Sequence, residues 1–94
     1  MYSREQKNFF KGGFIMYTNK NDIKNWETVG ICGIDCYQAH VEVKAIVEDL
    51  FGDTYIFAVS NPDNKPHKVK VTMCDRPYFR VNGCRYFMDE VIKM

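Results

Sequence analysis

The sequence predicts a small α+β domain, a curved antiparallel β-meander of four to five strands with short N-terminal helices on one face. Three observations carry this prediction. Asn82–Gly83 stands between two alternating runs; such a pair favours a type I′ hairpin turn, which needs φ > 0 at both central residues. Two more alternating runs precede it, residues 54–60 and 68–73, separated by the turn-forming stretch Asn-Pro-Asp-Asn-Lys-Pro at 61–66. Near the N-terminus, Ser3 followed by Gln6 makes a helix-capping pair, and Lys11-Gly12-Gly13 supplies a stop.

In chain order, the first helix is expected from Ser3 to about Phe10, followed by Phe14-Ile15-Met16-Tyr17 as a short strand or an apolar lead-in. Asn21–Asp22 can cap a second short helix running through Trp26. Lys11-Gly12-Gly13 also back-translates to AAR-GGN-GGN, which can hold a purine-rich ribosome-binding sequence ahead of the Met16 codon. Two readings of residues 1–15 therefore stand side by side: an amphipathic helix of the domain, or an upstream-translated extension before a start at Met16.

Residues 36–51 support two readings. As a strand, Val41, Val43, Ala45 and Val47 alternate with Glu42, Lys44 and Glu48, and only Ile46 is out of step. As a helix, Asp35 and Gln38 form a capping pair, Ala39, Val43, Ile46, Val47 and Leu50 share a face, and Leu50 and Phe51 become buried. The density of β-branched residues favours the strand, as do Glu48 and Asp49, which sit badly at a helix C-terminus.

From residue 54 the pattern is clearer. Tyr55, Phe57 and Val59 fall on one face, and then Val69, Val71 and Met73 point inward while Lys68, Lys70 and Thr72 point outward. A two-residue turn at Asn82–Gly83 sets the register of the last hairpin: Val81 faces Cys84, Arg80 faces Arg85, Phe79 faces Tyr86, and Tyr78 faces Phe87. Phe79, Val81, Cys84, Tyr86 and Met88 then share the core side. Short connections make residues 54–88 a four-stranded meander, with 39–48 as a fifth strand and barrel-like closure as an option. Residues 89–94 are expected to form a tail of one helical turn.

A chain of 94 residues has room for one core, so a single domain spanning 1–94 is expected. No apolar run nears membrane-spanning length, and the basic-then-apolar layout of a signal peptide is missing. The expected protein is soluble and cytoplasmic, has no membrane partner, and keeps Cys32, Cys36, Cys74 and Cys84 reduced. Residues 1–53 carry six Lys/Arg against eight Asp/Glu, and residues 54–94 carry seven against four. The basic excess therefore lies in the half that holds the hairpin.

That hairpin supplies the candidate binding surface. Arg80 and Arg85, directly opposite one another, repel, and their pairing makes sense under an anionic partner. With Lys68 and Lys70 on the neighbouring strand and the rings of Tyr78 and Phe87, they form a basic-aromatic face. Such a face suits a phosphate backbone with stacked bases, or an acidic patch on a protein. It equally suits a plain solvated sheet with arginines lying over the rings.

Cys32, Cys36 and His40 recur every four residues and would stack on one face of a helix; with Cys74 or His67 they make a weak zinc-ligand set. Cys36 and His40 are the only nearby nucleophile–base pair, and no glycine-rich phosphate loop, His-Glu-x-x-His or Gly-x-Ser-x-Gly pattern occurs. No enzyme activity and no cofactor are expected. Trp26, in a polar setting, reads as a packing anchor against the sheet.

The function expected is that of a small non-enzymatic binding protein with a protein or nucleic-acid partner of anionic surface. Its size and its Lys/Asn/Ile/Tyr/Phe-rich usage suit a phage or mobile-element accessory protein, an inhibitor of a host nucleic-acid-handling system of the anti-CRISPR type. Direct nucleic-acid binding and a zinc-stabilised domain are the alternatives. An exposed edge strand offers a route to a homodimer.

Overall fold

The computed structural model describes residues 20–36 and 38–94. The strands are β1 (Gly30–Cys32), β2 (His40–Glu48), β3 (Thr54–Asn61), β4 (Pro66–Lys70), β5 (Tyr78–Val81), β6 (Cys84–Phe87) and β7 (Ile92–Lys93), with 3₁₀ turns η1 (Lys20–Asn25) and η2 (Met88–Glu90). Five strands form an antiparallel sheet in the order β4-β3-β2-β1-β7, and β5 and β6 form a separate hairpin. The expected α+β class is thus corrected to a mostly antiparallel β architecture. Among the described residues the helical elements are 3₁₀ turns only, and one of them, η1, stands where a second helix is expected. The helix expected from Ser3 and the proposed extension over residues 1–15 lie outside the described residues. No helix among them is long and apolar enough to cross a membrane.

The strand reading of residues 39–48 holds: β2 pairs along β3 from His40↔Asn61 to Glu48↔Thr54. Leu50 and Phe51, which the helix reading would bury, are instead 86% and 90% exposed on the β2–β3 turn. The Asp49 carboxylate shapes that turn by accepting hydrogen bonds from the N–H groups of Phe51 and Asp53, both at 2.9 Å. This is the local side-chain capping that aspartate offers a tight turn.

β3 decides the architecture. Ile56, Phe57, Ala58, Val59 and Ser60 are all buried, so this strand is covered on both faces. Ile56 and Ala58 face one cluster with Val41, Val43, Val71, Phe79, Val81 and Tyr86. Phe57 and Val59 face another with Ile23, Ala45 and Val47, against which Trp26 packs. A strand apolar on both faces needs a layer above and a layer below. The β5–β6 hairpin closes the first side and η1 with Trp26 closes the second.

This requirement is why the four-stranded meander over 54–88 is not observed. Fully burying Phe79 or Val81 gains about 1.5–3 kcal/mol each. The chain realises that gain by folding the hairpin over the sheet instead of extending it. The departure begins after β4. Val71 still donates to the Thr54 carbonyl at 2.8 Å, but Thr72 and Tyr78 then bridge to each other, with N–H···O distances of 2.7 and 3.2 Å. Met73, expected to point inward, is therefore 66% exposed. Among the described residues the main sheet remains open between its β4 and β7 edges, with no barrel closure. The C-terminal tail supplies both η2 and the edge strand β7.

β2 serves both clusters through a bulge. The register on β3 shifts between Val43 and Ala45, so Lys44 is the extra residue. Val41 and Val43 consequently join the hairpin-side cluster, while Ala45 and Val47 join the other. One extra residue turns the pleat over. The Lys44 ammonium secures this point, donating to the Trp26 carbonyl and to Thr28 Oγ1 at 2.9 Å each. It also lies 3.6 Å from Glu42.

Candidate binding surface

The hairpin register is the one expected: Tyr78↔Phe87, Phe79↔Tyr86, Arg80↔Arg85 and Val81↔Cys84. Asn82 and Gly83 have φ of 53° and 80°, as a type I′ turn requires. Phe79, Val81 and Tyr86 are buried against the sheet, with the Phe79 and Tyr86 rings stacked 5.6 Å apart. Cys84, expected in the core, is exposed. It lies at the rim beside the Tyr86 hydroxyl, which burial first and the Cys84 thiol next push up to about 12.

The opposite, outward side carries a ladder of cations and rings. Arg85 lies 5.4 Å from the Tyr78 ring centroid and 5.3 Å from that of Phe87. Arg80 lies 5.8 Å from Tyr78, and the two rings meet edge to face at 6.1 Å. Arg76, outside the expected binding set, stacks 3.7 Å over Phe87. Pro77 follows it and directs the chain into β5, a tertiary placement with no local signal.

Arg76 is neutralised where it stands. Its guanidinium donates to both Asp89 carboxylate oxygens, at 2.9 and 3.1 Å, and reaches Glu90 at 3.4 Å. The hydrogen bond from Arg76 holds the Asp89 carboxyl below its ordinary range. No carboxylate among the described residues pairs with Arg80 or Arg85.

The lysines do not join this group. Register places Lys68 opposite Phe57 and Lys70 opposite Tyr55, on the side of the sheet away from the hairpin. Lys68 lies 5.1 Å from the Tyr55 ring and 5.7 Å from that of Phe57. Lys70 pairs with Asp53 at 3.4 Å. The expected single face is thus divided in two. Tyr78, Arg80, Arg85 and Phe87 stand together and gain Arg76, whereas Lys68 and Lys70 lie elsewhere. The cause is the folding-over of the hairpin, which turns neighbours in sequence into opposite surfaces.

The zinc-ligand set does not assemble either. Residues 40–48 are a strand, so Cys32, Cys36 and His40 share no helical face, and no group of three potential ligands gathers among the described residues. Cys32 is buried and donates weakly to the Phe87 carbonyl at 3.6 Å; burial, then the charge of Glu90, pushes its thiol up to about 11. A thiol held protonated this way behaves as a small hydrophobe. Cys36 is exposed, and His40 Nδ1 faces the Asn61 amide nitrogen at 3.4 Å.

A polar clasp, not visible in the sequence, pins the hairpin tip. Ser60 donates to Asp63, and the Asn82 amide donates to Asp63 at 2.8 Å and to Ser60 at 3.4 Å. His67 Nε2 lies 3.3 Å from the same Ser60 oxygen. These are the residue types of a hydrolytic triad in the wrong order. The serine stands between acid and imidazole and donates to the carboxylate, whereas in a hydrolytic triad the imidazole stands between serine and acid. No family model, curated protein or solved structure matches this chain.

Proposed function

We propose that this chain is a non-enzymatic binding protein that docks an anionic partner through the outward face of the β5–β6 hairpin. One observation carries the reading: Arg80 and Arg85 oppose each other across the hairpin, their guanidinia lie over Tyr78 and Phe87, and neither pairs with a carboxylate among the described residues. Juxtaposed like charges cost stability, and an incoming anion removes that cost. The rings hold the guanidinia in place, so little further ordering is lost on binding. The size and composition of the chain support a setting as a phage or mobile-element accessory protein, an inhibitor of a host nucleic-acid-handling system of the anti-CRISPR type.

The test is fluorescence anisotropy at low salt against labelled poly-L-glutamate and labelled oligothymidylate. The wild type is expected to bind at least one of these polyanions. Arg80→Glu/Arg85→Glu should abolish that binding, while Lys68→Glu/Lys70→Glu retains most of it. Loss in the lysine variant alone would move the surface to the other side of the sheet. No binding to either polyanion would remove the proposal.

A further inference from the structure

We infer that the partner engaged by this face is an acidic protein segment presenting paired carboxylates, an inference that rests on the docking reading above. In a two-residue hairpin the pair next to the turn is hydrogen-bonded and the following pair is not. Arg80 and Arg85 therefore form a close pair, with Cα atoms about 4.5 Å apart. Their guanidinia project side by side from one ring floor. A guanidinium lying over a ring at 5.3–5.8 Å leaves N–H groups to offer outward, and a guanidinium matches a carboxylate in a forked, two-bond geometry.

Three features of the same face disfavour a nucleic acid. Base recognition on single strands needs free ring faces, but the Phe87 ring has Arg76 at 3.7 Å and Arg85 at 5.3 Å. Asp89 and Glu90, which hold Arg76, stand at the rim of the patch. A phosphate backbone, with its closely repeated charge, would meet these carboxylates as it ran past. A segment bearing two carboxylates needs only the two arginines and can leave the rim untouched. Finally, Lys68 and Lys70 lie on the opposite side of the sheet, one over Tyr55 and the other paired with Asp53, so these two lysines do not extend the patch. Arginine and aromatic residues in a small, locally charged cluster form the composition of a protein–protein hot spot.

The experiment compares labelled poly-L-glutamate with oligothymidylate of matched charge number at physiological salt, on the full chain. Poly-L-glutamate is expected to bind more tightly by about tenfold, equivalent to about 1.4 kcal/mol, and Arg80→Glu/Arg85→Glu should erase the difference. Conservative Arg80→Lys/Arg85→Lys keeps the charge but removes the fork, and should lose most of the preference. Oligothymidylate binding as tightly or more tightly, with loss in the arginine variant, would overturn the inference while leaving the docking face intact. Failure of both probes even at low salt would overturn the docking reading itself.

Discussion

At the scale of single residues, Asp63 shows how much one exposed carboxylate can organise. It accepts from Ser60, from the Asn82 amide and from the Lys65 N–H, and so ties the β3–β4 loop to the hairpin tip. The Ser60 hydrogen bond, then those of Asn82 and Lys65, and the charge of His67 hold its carboxyl below the usual range. A lowered folded-state pKa contributes stability that is present above the unfolded value, near 3.9, and is lost as pH falls through the folded value. Asp63→Asn is therefore expected to lower the thermal midpoint at pH 7. The gap to wild type should close as both proteins are acidified below about pH 4. An unchanged gap at pH 2 would show that the carboxylate charge is not the source. Neither the clasp nor the stacking of Arg76 on Phe87 was legible in the sequence. Asn61 to Pro66 reads only as a loop, and its partner Asn82 lies far along the chain and reads only as a turn residue.

At the scale of elements, the hairpin was legible in full register because a two-residue turn with φ > 0 at both positions leaves one pairing. Its place in the fold was not. The signal lay in β3, where Ile56 and Ala58 interrupt the alternation of Tyr55, Phe57 and Val59. A continuous apolar run of this length marks a strand buried on both faces, and such a strand demands that something fold back over it. Ile46, out of step in an alternating reading, was likewise the trace of the bulge at Lys44. Two substitutions separate elements that bear load from those that do not. Phe79→Ala removes a fully buried ring from the hairpin–sheet contact and should cost about 3–5 kcal/mol in urea denaturation. Leu50→Ser/Phe51→Ser acts on a turn whose side chains bury almost nothing and should stay within about 0.5 kcal/mol of wild type. A large loss in the turn variant would mean that those two side chains are covered in solution.

For the whole molecule, the two apolar clusters are separate in space but share β2 and β3. Each draws buried residues from both strands, so the two are coupled through that pairing and unfolding should be a single cooperative transition. Trp26 packs in the second cluster, its ring 5.8 Å from that of Phe57. Its fluorescence should nevertheless report Phe79→Ala, a change in the first cluster, with the same shifted midpoint that far-UV dichroism gives. A Trp26 transition unmoved by Phe79→Ala would show two independent units. The double-sided burial of β3 also bears on how freely this chain can drift over generations. Along β4, half-buried and open positions alternate near the middle of the strand, and a mutational-tolerance map there takes on that rhythm. Along residues 56–60 every position is enclosed, and the map becomes a block with no permissive site. Variation can enter that block only as matched changes in β3 and in the layer above or below it. Divergent descendants would thus keep residues 56–60 nearly fixed while the exposed surfaces change around them.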